Sequence, residues 1–194
     1  MSNCNLCSLS KYRINIVIPS VPDLNYWNRL MLVGEAPGAE EDRVGIPFVG
    51  KAGDVLNFCL EQAGFSRDET YITNILKCRP PNNDISNSAS LEALKICPYK
   101  HLSSEITKII LDSGISNFLV VGLGSTAIRF FTGETVVLKA KGKIKNVRFP
   151  YERVDSACSI NFMGTLHPAA ILRGGYDKEE LIGDLKKAKG FLYD

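Results

Sequence analysis

No stretch of this chain approaches the roughly 20 consecutive apolar residues that a membrane-spanning helix needs. The opening run MSNCNLCSLSKYR also lacks the apolar core of a secretion signal. A soluble protein of the cytoplasm with no membrane partner is expected. Charge of one sign is lacking too: the formal net charge is +2, too small to advertise a polyanion partner, so any nucleic-acid contact has to rest on local patches. Histidine is scarce, with only His101 and His167. His101 falls on a predicted helix, where a surface or boundary position is the ordinary reading. With 194 residues, 45% hydrophobic and 23% charged, the chain can bury one full core and has no need to divide. One domain over residues 1–194, working as a monomer, is expected.

Cysteine, by contrast, is plentiful. Six thiols without a secretion signal argue for metal binding or reactivity over disulfides. Cys4 and Cys7 form a CxxC pair, and Cys78 and Cys97 lie beside prolines, in Cys78-Arg79-Pro80-Pro81 and Cys97-Pro98. Cys59 falls on the apolar face of a predicted helix, and Cys158 has no partner in sequence. Four candidates are left, the number a closed tetrathiolate site requires; zinc and a [4Fe-4S] cluster both fit. After the CxxC come 70 residues before Cys78 and 18 more before Cys97. That spacing is less compact than a zinc ribbon and favours the cluster. The plain alternative is a lone CxxC with two unrelated cysteines.

Apolar periodicity marks strands at residues 29–33, 70–76, 118–121 and 160–166, and helices at about 51–63, 91–110 with a break near Pro98, and 177–189. Strands alternating with helices imply an α/β fold, a three-layer α/β/α sandwich around a mainly parallel sheet. The segment from Tyr12 to Trp27 has no clear period. Lys139, Lys141, Lys143 and Lys145 alternate along KAKGKIK, as on one face of a strand or hairpin. Edge protection is the default explanation, phosphate contact the sharper one. The turn Gly122-Leu123-Gly124-Ser125-Thr126 follows a strand and can cradle phosphate, yet it is short and fits a plain strand-to-helix connection better.

The stretch Gly34–Asn57 organises the rest. It joins a strand end to a helix through a loop of about 17 residues without its own periodicity, longer than an ordinary link, at the sheet edge where α/β folds bind ligands. Gly45-Ile46-Pro47-Phe48-Val49-Gly50-Lys51 matches GxxxxGK, but Ala52 stands where a phosphate-binding loop needs a hydroxyl for magnesium. A nucleotide hydrolase is therefore disfavoured. Glu40 and Asp42 read equally well as a solvated acidic turn. Glu35, Phe48, Asn74 and His167 come from three separate strand-end loops and supply a carboxylate, a stacking face, a bidentate amide and a polarising imidazole. A flipped nucleobase needs that set.

GEAPG at Gly34–Gly38, GIPFVGKAG at Gly45–Gly53, TNILKCRPP at Thr73–Pro81, Cys97-Pro98 and HPAAILR at His167–Arg173, with the CxxC, span nearly the whole chain. In this order they resemble the family-four uracil-DNA glycosylases, which carry an iron–sulfur cluster. The resemblance implies that Phe48 stacks on uracil, Asn74 reads its polar edge and His167 donates to its O2. Gly34 and Ala36 would line the same site. Glu35, with Glu41 as a second acidic candidate, would lie near the sugar and the attacking water. Cys4, Cys7, Cys78 and Cys97 fall where the family's cluster ligands do, and the loop from Pro168 to Arg173, with Ala169, Ile171, Leu172 and Arg173, falls where the family wedges into the minor groove. Lys51 and Arg79 are further DNA-contact candidates, and Lys77 and Arg79 beside Cys78 are placed either to touch phosphates or to offset thiolate charge. The implied partner is uracil-containing DNA; nothing in the sequence bears on a sliding clamp. The alternative is an iron–sulfur protein that binds nucleic acid without releasing the base.

Overall fold

The computed structural model describes residues 3–113, 117–149 and 158–193. Five strands form one sheet: β1 Leu30–Gly34, β2 Tyr71–Asn74, β3 Leu119–Leu123, β4 Ile144–Phe149 and β5 Cys158–Thr165. Their order is β2-β1-β3-β5-β4. β2, β1, β3 and β5 run parallel, and β4 closes one edge antiparallel to β5. The helices are α1 Ala39–Val44, α2 Lys51–Gln62, α3 Ser88–Cys97, α4 Ser103–Ser113, α5 Ser125–Thr132, α6 Val137–Ala140, α7 Pro168–Leu172 and α8 Lys178–Tyr193.

Side chains along each strand alternate between two cores, the period of two that a sheet covered on both faces demands. Met31, Val33, Val120 and Phe162 pack with Ala93 of α3, Ile106 of α4 and Ile128 of α5. Leu30, Leu32, Val121 and Met163 pack instead with Leu56 and Leu60 of α2 and Leu181 and Leu185 of α8. The result is the three-layer sandwich expected from the alternation of elements. Cys59 is fully buried in the second core, as its helical position implied; the Cys158 side chain lies outside the described residues. Among the described residues no helix is long and apolar enough to cross a membrane.

Several local readings need correction. The long loop after β1 contains a helix, α1, whose entry is held by the Glu41 carboxylate accepting from the Gly38 N–H at 3.1 Å. Six residues are too few to display an apolar stripe. Glu40 is solvated and paired with Arg43, but Asp42 is buried, accepting from the Ile14 and Asn15 N–H groups at 2.9 and 3.1 Å. It fastens the irregular N-terminal segment to α1. The four lysines of KAKGKIK do not share a strand face. Lys139 belongs to α6, Gly142 turns the chain at φ +64°, and Lys141 is paired with Glu180 and Asp184 of α8. Lys77 does not face solvent phosphates: it is 1% exposed, its Nζ 2.8 Å from the Glu105 carboxylate of α4 and 2.8 Å from the Asn74 carbonyl.

Candidate active site

The strand order 2-1-3 reverses at β1, and the crevice beyond the carboxyl ends at such a reversal is the natural ligand position of an open α/β sheet. A cavity of about 380 Å³ opens there. It takes Glu35, Ala36 and Gly38 from the loop after β1, Phe48 from the loop before α2, Asn74 from the end of β2, Gly124 and Ser125 after β3, and His167, Ala169 and Arg173 after β5. The four residues singled out as a base-reading set therefore line one cavity, although Asn74 and His167 are 93 positions apart in the chain.

Asn74 is the last residue of β2 and is buried. Its amide lies against Gly34 so tightly that a Cβ there would stand 2.3 Å from Asn74 Oδ1 and 2.5 Å from Phe48 Cζ. Only glycine leaves the pocket open. Phe48 sits in the left-handed region at φ +53°, a conformation that costs a side-chain-bearing residue about 1–2 kcal/mol. Its neighbours impose it. Arg67 donates to the Pro47 carbonyl at 2.7 Å, and Gly53 lets the Phe48 carbonyl approach to where a Cβ would lie only 2.0 Å from it. The buried ring faces His167, with ring centroids 5.8 Å apart and planes tilted by 33°.

His167 caps the short α7, its Nδ1 accepting from the Ala169 N–H at 3.1 Å. A nitrogen that accepts from a backbone amide carries no proton, so the neutral ring's proton is on Nε2. Burial, and secondarily the Arg173 charge, hold its pKa down to about 4. At neutral pH the imidazole is an uncharged donor.

The two carboxylates differ in their surroundings. Glu41 accepts from the Gly38, Val49 and Gly50 N–H groups at 3.1, 3.2 and 3.0 Å, bridging the start of α1 to the residues just after Phe48. Glu35 is half-buried at the cavity wall, and Thr126 of α5 donates its hydroxyl to the carboxylate. Thr126 gave no signal of its own in the sequence. The turn that carries it did, and its reading as a plain connection left out Gly124 and Ser125, which line the cavity. Tyr176 and Asn83 at the cavity rim were also missed; neither lies in a motif.

Next to lining residues, Arg79 donates to Asn83 at 2.8 Å, Lys51 precedes Ala52 and is exposed at the start of α2, and Leu172 precedes Arg173 and is 49% exposed. Ile171 points the other way, into the core formed with α2 and α8.

Cys4, Cys7, Cys78 and Cys97 line a second cavity, with Arg13, Lys77 and His101. The Arg13 guanidinium lies 3.8 Å from Cys78 Sγ, and His101 Nε2 lies 3.3 Å from Cys4 Sγ. His101, half-buried at the boundary position expected of it, is thus also part of this wall, in the π-helical turn Pro98–Leu102. Burial pushes the Cys78 and Cys97 thiols up to about 11 and about 12. Among the described residues no three metal-ligating side chains close on a common point, but four thiols lining one cavity with cations beside them are, by their chemistry, a donor set suited to a soft metal group.

A cavity at the strand switch point with an aromatic shelf, a buried amide and a neutral imidazole donor defines a site for a planar heterocycle. The sequence profile of the uracil DNA glycosylase superfamily matches residues 22–186, and the chain belongs to that superfamily. It is similar to the type-4 uracil-DNA glycosylase of Thermotoga maritima, 34% identical over 99% of this chain and 91% of the relative. The type-4 uracil-DNA glycosylase of Pyrobaculum aerophilum is 36% identical over 96% of this chain and 86% of its own length. That of Archaeoglobus fulgidus is 35% identical over 95% and 86%. The family resemblance carried by the motifs is borne out.

Proposed function

We propose that this protein is a monofunctional uracil-DNA glycosylase, acting as a cytoplasmic monomer, that draws uracil out of DNA and hydrolyses its N-glycosidic bond with water. The observation that carries the reading is the convergence of Phe48, Asn74, His167 and Glu35 on one cavity. Breaking the bond leaves negative charge on the uracil and positive, oxocarbenium-like charge on the sugar. Groups matched to both charges act on the transition state more than on the ground state. Phe48 stacks on the flipped base, the Asn74 amide pairs with its polar edge, and the Nε2–H of His167 donates to the O2 as it gains charge. Glu35 supplies the carboxylate for the sugar and the water. Arg79, Lys51 and Arg173 at the rim suit phosphate contacts, and exposed Leu172, not inward-facing Ile171, suits the wedge in the minor groove.

A [4Fe-4S] cluster would be held by Cys4, Cys7, Cys78 and Cys97. The reaction moves no electrons, so the group would supply structural cross-linking of the N-terminal segment to the loop of Cys78 and the end of α3 at Cys97. Brown protein with broad visible absorption is expected; colourless protein containing zinc would replace the cluster by the alternative metal.

The deciding experiment is base release from an oligonucleotide carrying one uracil, single-stranded and opposite guanine, followed by alkali, with thymine and hypoxanthine as controls. Cleavage confined to uracil is expected. No cleavage by cluster-loaded protein would favour a binding protein without catalysis. With the same assay, Gly34→Ala is expected to reduce release at least tenfold, because the new methyl occupies the space between Asn74 and Phe48. An unchanged rate would remove that pocket from base binding.

A further inference from the structure

The turn after β3 is the part of the site that the catalytic reading leaves without a task. Its Gly124 stands at φ +86°, with its N–H donating to the Thr165 carbonyl at 2.9 Å. It lies against the base of His167, where a Cβ would fall 2.9 Å from the histidine Cβ. Two residues on, Thr126 sits in the first turn of α5 and donates a hydrogen bond from its hydroxyl to the Glu35 carboxylate, across 91 positions of sequence. The Glu35 backbone is already fixed, its carbonyl accepting from the Leu76 N–H at 3.0 Å. Its side chain is another matter: among the described residues Thr126 is the one hydrogen-bond donor to the carboxylate.

We propose that Thr126 is a positioning residue of the reaction: its hydroxyl selects the Glu35 rotamer that faces the sugar. This rests on the reading of Glu35 as the carboxylate at the sugar. A glutamate has three side-chain torsions, and one half-buried at a cavity wall has several of their combinations open to it. A charge-assisted O–H···O bond from a residue on a packed helix removes all but one, and the helix N-terminus adds a favourable field for a carboxylate. Because the same turn backs His167, β3 and α5 hold the groups at both ends of the scissile bond in one rigid frame.

The test compares Thr126→Val, which keeps the shape and loses the donor, Thr126→Ala, which loses both, and Thr126→Ser, which keeps the donor. Uracil release by the valine and alanine variants is expected to fall on the order of ten- to a hundredfold in kcat, with KM for the DNA little changed, since an ordered carboxylate matters to the reaction and not to docking. The serine variant is expected to stay within about threefold of the parent, because the donor is retained. In a Glu35→Gln background, Thr126→Val is expected to cost nothing further, because the group it positions has been removed. A wild-type rate for Thr126→Val and Thr126→Ala, a loss that serine does not restore, or a full additional loss on top of Glu35→Gln would each overturn the inference while leaving Glu35 in place. A wild-type rate for Glu35→Gln alone would remove the reading of Glu35 and the inference with it.

Discussion

Replacing His167 by alanine is expected to slow uracil release by about 10² to 10³, the usual loss when one preorganised donor to a developing oxyanion is removed. The size follows from where the proton is. With Nδ1 occupied by the Ala169 N–H, the neutral ring has one donor left. Burial keeps it neutral, with a pKa of about 4. On the proposed mechanism it enters the reaction as a desolvated dipole whose hydrogen bond strengthens as charge moves onto the base. The fold should persist, since alanine removes a cap acceptor of one five-residue helix. Single-turnover release from a uracil oligonucleotide measures the effect, and a rate within threefold of wild type would remove His167 from the mechanism.

The same histidine makes stability depend on pH, with a definite sign. Unfolded, it titrates near 6.5; folded, near 4. Between those values the unfolded chain binds more protons, so stability rises with pH across the window and is lost as pH falls from 6.5 towards 4, by about 3 kcal/mol if the full difference is realised. His167→Gln should remove that part of the acid sensitivity, visible as a flatter dependence of Tm on pH between 4 and 6.5.

The second large effect is expected from Glu41→Ala. One carboxylate, itself buried, satisfies three backbone N–H groups spread over residues 38–50, and its loss leaves the donors of all three part-buried bonds without their charged acceptor. A destabilisation of about 3–5 kcal/mol is expected, corresponding to a fall in Tm of roughly 10 °C for a chain of this size. Because two of those N–H groups immediately follow Phe48, the rate of base release should fall with stability. Thermal unfolding and kinetics on one preparation decide the matter. A large rate loss at unchanged Tm would place Glu41 at the sugar as an acid and not at the loop as its brace.

How much of this was legible beforehand depended on whether a residue's partner was local. Strand cores such as Leu30–Val33 and Leu119–Val121 announce themselves by apolar runs, and the switch point follows from the order of elements. Asn74 and His167 were readable because each lies in a motif at a strand end, and Phe48 because it lies in the motif of the loop before α2. Charged residues were misread where a distant chain segment neutralises them. Of the two readings of Lys77, phosphate contact fails because Glu105, 28 positions later, arrives from α4 and buries it, while a cation beside the thiols agrees with its place in the cysteine-lined cavity. Asp42 reads as solvated until the Ile14 and Asn15 amides fold onto it. Lys141 reads as part of an alternating row until α8 supplies Glu180 and Asp184. Thr126 was invisible for the same reason: a threonine in a helix's first turn looks like a local cap, and its partner is a glutamate from another strand's loop.

The left-handed backbone at Phe48 has an effect on selectivity. Arg67, Gly53 and Glu41 hold that conformation from three sides, so the aromatic shelf is set by the contacts of the folded loop itself. On the proposed function the pocket acts as a gauge, and a ring carrying an extra substituent is expected to meet a wall that retreats only by releasing the contacts of the whole loop. Discrimination among bases is in this sense a mechanical property of the loop's stiffness, stored in the same contacts that give the folded chain its stability.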